Sequence, residues 1–99
     1  MKKNISILGS GFSSLAAACY LAKSGNNVTI FEKNSTIGGR ARQKIRNGFT
    51  FDLGPSWYWM PDVFEKFFSD FDKKPSDYYI LKKLSPAYNV FLAKTISLL

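Results

Sequence analysis

Three small groups of residues carry most of the chemistry available to this sequence of 99 residues. Gly9 and Gly11 open the run Gly9-Ser10-Gly11-Phe12-Ser13-Ser14, which lies between an apolar stretch and an alanine-rich one. Glycines at a strand-to-helix turn let the backbone approach a pyrophosphate closely, and the helix N-terminus offers N–H groups and a positive dipole end to it. Glu32 follows 21 residues after Gly11, where an acidic side chain can accept hydrogen bonds from a ribose hydroxyl. Gly38-Gly39-Arg40 comes next. Adjacent glycines imply a backbone passing close to something bulky, and a guanidinium places fixed charge beside phosphate or flavin carbonyls. Each group alone has a plainer reading: a solvated strand end for Glu32, and an ordinary turn with an exposed arginine for Gly38 to Arg40. Their joint spacing favours the ADP half of a flavin dinucleotide.

Other chemistries are poorly supplied. There is no histidine to act as the usual general base, and Cys19 is the lone cysteine. No disulfide framework or metal site is expected from such a set, and a single cysteine fits a reducing, cytoplasmic compartment. Lysine and arginine outnumber aspartate and glutamate by 14 to 7, a net charge of +7. Nucleic acid or an anionic membrane surface could explain that excess. The basic residues are scattered, however, with no recognition helix or stacking motif, so no nucleic-acid partner is expected. A content of 45% hydrophobic and 16% aromatic residues excludes a disordered tail.

The elements that must position these groups follow from periodicity. Ile5 to Leu8 reads as a short parallel strand buried on both faces, Leu15 to Ala22 as a helix, and Val28 to Phe31 as a second strand. Leu15, Ala16, Ala18, Cys19 and Ala22 are the expected packed face of the helix, with Cys19 a small buried hydrophobe. Ser14 stands where GxGxxG has its third glycine, a small departure. Lys2-Lys3 and the alanine run imitate a lipoprotein signal, but glycines and serines interrupt its apolar region. No run of eighteen apolar residues could span a membrane. The fold class is α/β: a Rossmann-like FAD-binding βαβ unit and the start of a following flavin or substrate region, incomplete.

Beyond Arg40, the alternation of Arg40, Arg42, Lys44 and Arg46 predicts a strand with all four cations on one face. Asn47-Gly48 then turns the chain into a returning strand at Phe49 to Asp52. Aromatic residues concentrate from Phe49 to Tyr79. Asp62, with Glu65 three residues on, is expected to cap a helix whose Phe64, Phe67, Phe68 and Phe71 share one face. Core packing is the default for such a stripe, ahead of a wall against an apolar substrate or a membrane-docking surface. Lys73-Lys74-Pro75 should end the helix, and Pro75 to Asp77 should form a short turn. Further strands are expected at Tyr79–Leu84, Tyr88–Leu92 and Thr95–Leu99.

Gly9-Ser10-Gly11, Glu32, Gly38-Gly39-Arg40-Ala41-Arg42 and Phe51-Asp52-Leu53-Gly54-Pro55-Ser56 together resemble the N-terminus of bacterial-type FAD-dependent phytoene desaturases. These belong to the flavin amine oxidase and carotenoid desaturase or isomerase superfamily. The resemblance runs from about residue 4 to about residue 92, and the stretch Gly54 to Glu65 looks most like the desaturase branch. Members of the family are several times longer, so the chain resembles an N-terminal fragment, inactive alone. Residues 1–56 would then belong to the FAD-binding domain and residues 57–99 to the start of the substrate side. The resemblance implies FAD as cofactor and new carbon–carbon double bonds in a hydrophobic polyene such as phytoene, with no catalytic acid or base in this stretch. It gives the pyrophosphate to Gly9, Gly11, Phe12, Ser13 and Ser14, and the ribose to Glu32 with Lys33 beside it. Gly38, Gly39, Arg40 and Arg42 would follow the phosphates towards the flavin, and Gly54, Pro55 and Ser56 would flank its ring. A membrane-soluble substrate implies peripheral association with the inner face of the cell membrane. Amine oxidase-like, carotenoid isomerase-like and retinoid saturase-like flavoenzymes are its neighbours.

Overall fold

Apolar residues alternate through Ile5 and Ile7 and again through Val28 and Ile30, and these four are half-buried. They lie on β1 (Asn4–Leu8) and β2 (Asn27–Phe31), which pair in parallel with Ile5 opposite Val28 and Ile7 opposite Ile30. Parallel strands need a crossover, and α1 (Phe12–Lys23) supplies it. This is the expected βαβ unit. The computed structural model describes residues 1–90, which fall into one unit of residues 1–63 and a second that starts at Phe64.

Three details differ from expectation. The strands are buried on one face only: Ser6, Leu8, Thr29 and Phe31 point away from α1, and Leu8 is 83% exposed. A single helix covers a single face. Second, α1 begins at Phe12, not Leu15, because Gly11 is already its N-cap, in an extended conformation, and accepts the Leu15 N–H at 3.0 Å. Third, Cys19 and Ala22 are exposed, while Ser14, Leu15, Ala16, Ala18 and Leu21 are half-buried. Cys19 lies one helical step, about 100°, round from Ala18, which carries it off the packed side. The helix closes as expected, with Lys23 in its last turn and the Ser24 N–H and hydroxyl both donating to the Tyr20 carbonyl.

After the Gly38 loop, β3 (Arg42–Arg46) and β4 (Phe49–Leu53) form the expected antiparallel hairpin. Arg46 faces Phe49 across the two-residue turn Asn47-Gly48, where φ is 51° and 80°, the geometry of a tight hairpin. Arg42, Lys44 and Arg46 share one face with Leu53, Phe51 and Phe49, their cross-strand partners. Arg40 does not join them. It precedes the strand, in a turn closed by the Ala41 N–H donating to the Gly38 carbonyl at 3.1 Å.

The helix α2 (Pro61–Ser69) starts on Pro61, so Asp62 sits inside its first turn and does not cap it. Proline suits a first helical position because its φ is preset and no N–H is needed there. In the second unit, Phe64, Phe67, Phe68 and Phe71 are half-buried, as a packing stripe requires. The Phe67 and Phe71 rings lie 5.1 Å apart, and Phe68 lies 5.1 Å from Tyr78. The helix ends ahead of Lys73, because Asp72 turns left-handed (φ 56°) and the Lys73 N–H reaches back to the Phe68 carbonyl. A 3₁₀ turn at Pro75–Asp77 follows, with the Asp77 carboxylate accepting the Lys74 N–H at 2.9 Å. The strand expected at Tyr79–Leu84 does not form. A strand is held by a neighbour's N–H and C=O groups, and no described segment pairs with it. Tyr88–Val90 is likewise unpaired; the remainder of that span and Thr95–Leu99 lie outside the described residues. Among the described residues, no helix is long and apolar enough to cross a membrane.

Candidate functional site

The first unit gathers its polar chemistry at the C-terminal ends of β1 and β2. The Gly9 N–H donates to the Phe31 carbonyl at 2.7 Å and extends the strand ladder by one bond. The chain then turns into α1, and the next residue, Ser10, is only 1% exposed. Ser10 ties three segments together. Its N–H and its hydroxyl donate to Glu32 Oε2 at 2.8 and 2.5 Å, and its carbonyl accepts the Gly38 N–H at 2.8 Å. The other carboxylate oxygen, Glu32 Oε1, accepts the Asn34 N–H at 2.9 Å and Asn34 Nδ2 at 3.0 Å. These donors favour the charged form. Led by the Ser10 hydroxyl, and then by the Asn34 and Ser10 main-chain groups, they hold the Glu32 carboxyl down to about 2 from an ordinary 4.5.

Two glycines make close backbone approaches that a side chain would prevent. A Cβ on Gly39 (φ 63°) would come within 3.0 Å of Gly11 Cα, so the Gly38-Gly39 loop rests directly on the turn before α1. A Cβ on Gly54 (φ 100°) would collide with the Arg40 carbonyl oxygen. The start of the hairpin and its end therefore meet backbone to backbone, with Arg40 held between the two glycine positions.

These approaches leave two adjoining cavities within the first unit. The first, of about 590 Å³, is bounded by Gly9, Ser10, Gly11, Glu32 and Asn34, with Leu8 and Phe31 as apolar flank. The second, of about 580 Å³, is bounded by Arg40, Arg42, Leu53 and Gly54. Lys33, Asn34 and Gly39 border both. One cavity thus holds a carboxylate, the other two guanidinium groups, and the shared wall carries an ammonium group. An elongated ligand with hydroxyls at one end and anionic groups further along matches that order of charges.

Of the residues expected from sequence, Gly9, Gly11, Glu32, Lys33, Gly39, Arg40, Arg42 and Gly54 border these cavities. Phe12, Ser13 and Ser14 form the first turn of α1, where N–H groups lack intrahelical acceptors. Gly38 is buried and acts through its N–H. Pro55 and Ser56 border neither cavity; they follow β4 in the loop beyond Gly54. Ser10 and Asn34 were missed by sequence reasoning. Their signal is slight: a small hydroxyl between two glycines, and a short amide two residues after a strand-end carboxylate.

Residues 7–73 match the family described as NAD(P)-binding Rossmann-like domain. Carotenoid 3,4-desaturase of Haloarcula japonica is 52% identical over 89 residues, which make up 90% of this chain and 18% of that protein. The 4,4′-diapophytoene desaturase (4,4′-diaponeurosporene-forming) of Staphylococcus aureus is 45% identical over 87 residues, 88% of this chain and 17% of that protein. The chain thus spans less than a fifth of the length of these curated relatives. The family match takes in every residue that borders the two cavities, together with the end of β1, the crossover helix and β2. With that coverage and that topology, the chain belongs to the NAD(P)-binding Rossmann-like domain family.

Proposed function

We propose that this chain is the FAD-gripping part of a carotenoid desaturase, an oxidoreductase that introduces carbon–carbon double bonds into a hydrophobic polyene precursor. The observation that carries the reading is the pair of adjoining cavities, acidic at Glu32 and basic at Arg40 and Arg42, joined at Gly39. Both sequence relatives named above are desaturases of such compounds. Gly39 and Gly54 pack against the protein's own main chain, which holds the walls of the two cavities in place.

Each residue then has a task. Gly9, Gly11 and the first turn of α1, with Phe12, Ser13 and Ser14, receive the pyrophosphate. Glu32 accepts the ribose hydroxyls. Arg40, Arg42 and Lys33 offset the phosphate charge, and Gly38 keeps the loop seated through its N–H. Gly54, Pro55 and Ser56 flank the flavin side of the site. Bound FAD supplies the acceptor for the hydride removed from an unactivated C–H bond. Residues 1–56 form the cofactor part, and residues 57–99 open the substrate side. A hydrocarbon substrate places the protein at the inner face of the cell membrane, working from the cytoplasm.

In a protein extended to the length of the desaturase relatives, titration of the apoprotein with FAD, NAD⁺ and NADP⁺ tests the reading, followed by incubation of the FAD-loaded protein with phytoene, since the 99-residue chain alone is expected to be inactive. FAD is expected to bind stoichiometrically with no competition from either nicotinamide nucleotide, and phytoene to give products absorbing at longer wavelength. Glu32→Ala is expected to weaken FAD binding about 10- to 100-fold, the worth of hydrogen bonds to a charged group. Selective uptake of NADP⁺ over FAD would overturn the proposal.

A further inference from the structure

The Glu32 carboxylate is already full. A carboxylate offers about four acceptor positions, two on each oxygen. Ser10 fills two on Oε2, through its N–H at 2.8 Å and its hydroxyl at 2.5 Å. Asn34 fills two on Oε1, through its N–H at 2.9 Å and its side-chain amide at 3.0 Å. Each oxygen therefore has one main-chain donor and one side-chain donor. The main-chain donors are fixed by the turn before α1 and by the chain leaving β2. The side-chain donors can rotate away.

A ribose diol brings two O–H donors, one for each carboxylate oxygen. We propose that Ser10 Oγ and Asn34 Nδ2 are stand-ins for the two hydroxyls of a ribose diol, occupying Glu32 until a nucleotide displaces them and thereby setting its affinity. The inference rests on the reading of Glu32 as the ribose acceptor and adds two residues to it. The exchange is balanced on the carboxylate side: two bonds are given up and two are made. It is unbalanced on the protein side. Ser10 is 1% exposed, so a displaced hydroxyl finds little water. Asn34 lies on the exposed side of the cavity, where water can take the place of Glu32. Ser10 therefore opposes binding more than Asn34 does. Among the described residues, Lys33 is the other charged group on this cavity, and no second acidic side chain borders it.

The test uses the purified apoprotein with two probes, ADP and 2′,3′-dideoxy-ADP, which differ only in the diol. Ser10→Ala removes one stand-in, and Asn34→Ala, at an exposed position, removes the other with little risk to folding. Ser10→Ala is expected to bind ADP about two- to ten-fold tighter than the unaltered protein, the range of one net hydrogen bond. Asn34→Ala is expected to shift affinity in the same direction by less. Dideoxy-ADP should bind all three proteins alike, an outcome that a general change in stability would not produce. Unchanged or weakened ADP binding in both variants overturns the proposal. An unaltered protein that takes up FAD but does not distinguish the two probes also overturns it while leaving the flavin reading intact. Failure to take up FAD overturns both.

Discussion

Glu32 couples the candidate site to pH. Its folded-state carboxyl is held down to about 2, below its ordinary 4.5, by Ser10 and Asn34. A depressed carboxyl stabilises the fold above its ordinary value, and that contribution is lost as pH falls from there through the folded value. The loss should therefore develop from about pH 4.5 towards about pH 2. Glu32→Gln cannot ionise, so its melting temperature should decline less steeply than that of the unaltered protein across this window. Melting curves at stepped pH measure the difference, and parallel declines would contradict it. Ser10 was hard to foresee because nothing in its local sequence says which way a serine between two glycines will point. Its partner is 22 residues away. Glu32, by contrast, was legible from its distance to the glycine turn.

Elements follow sequence where their cause is local. The β1–α1–β2 unit was legible because a short apolar run, a glycine turn and an alanine-rich run each specify their own conformation. The hairpin was equally legible, since Asn47-Gly48 fixes both turn and register. The stripe Phe64, Phe67, Phe68 and Phe71 has a helical period and packs as that period requires. Tyr79–Leu84 has strand-like composition but finds no described partner, so composition misled there. The meeting of Gly54 with Arg40 was not legible in the sequence, where the resemblance gave Gly54 only a place beside the flavin ring. Gly54→Ala should now cost about 2 kcal/mol or more, combining the left-handed penalty with the clash against a main-chain oxygen. Ser56→Ala, two residues on at an exposed position, should change stability little. Chemical denaturation of the two variants separates the outcomes.

For the molecule as a whole, no hydrophobic side chain among the described residues is fully buried. Leu8 and Phe31 stand on the uncovered face of the parallel pair, and Trp57 and Trp59 are 65% and 69% exposed. Small chains are already poor in buried surface, and exposed apolar patches of this kind favour association. The 99-residue chain alone is expected to bind a hydrophobic dye strongly and to melt over a broad range; weak dye binding with a sharp transition would contradict this. The site itself is better fastened than its surroundings. The bond from the Gly38 N–H to the Ser10 carbonyl, and the seating of Gly39 on Gly11, join main chain to main chain. Such a join is indifferent to the side chains of Ser35, Thr36 and Ile37 but not to their number. Substitution can accumulate along that loop through evolutionary drift, whereas one residue gained or lost would slide Gly39 off its seat. Loop length, more than loop spelling, is the heritable gauge that spaces the acidic cavity from the basic one.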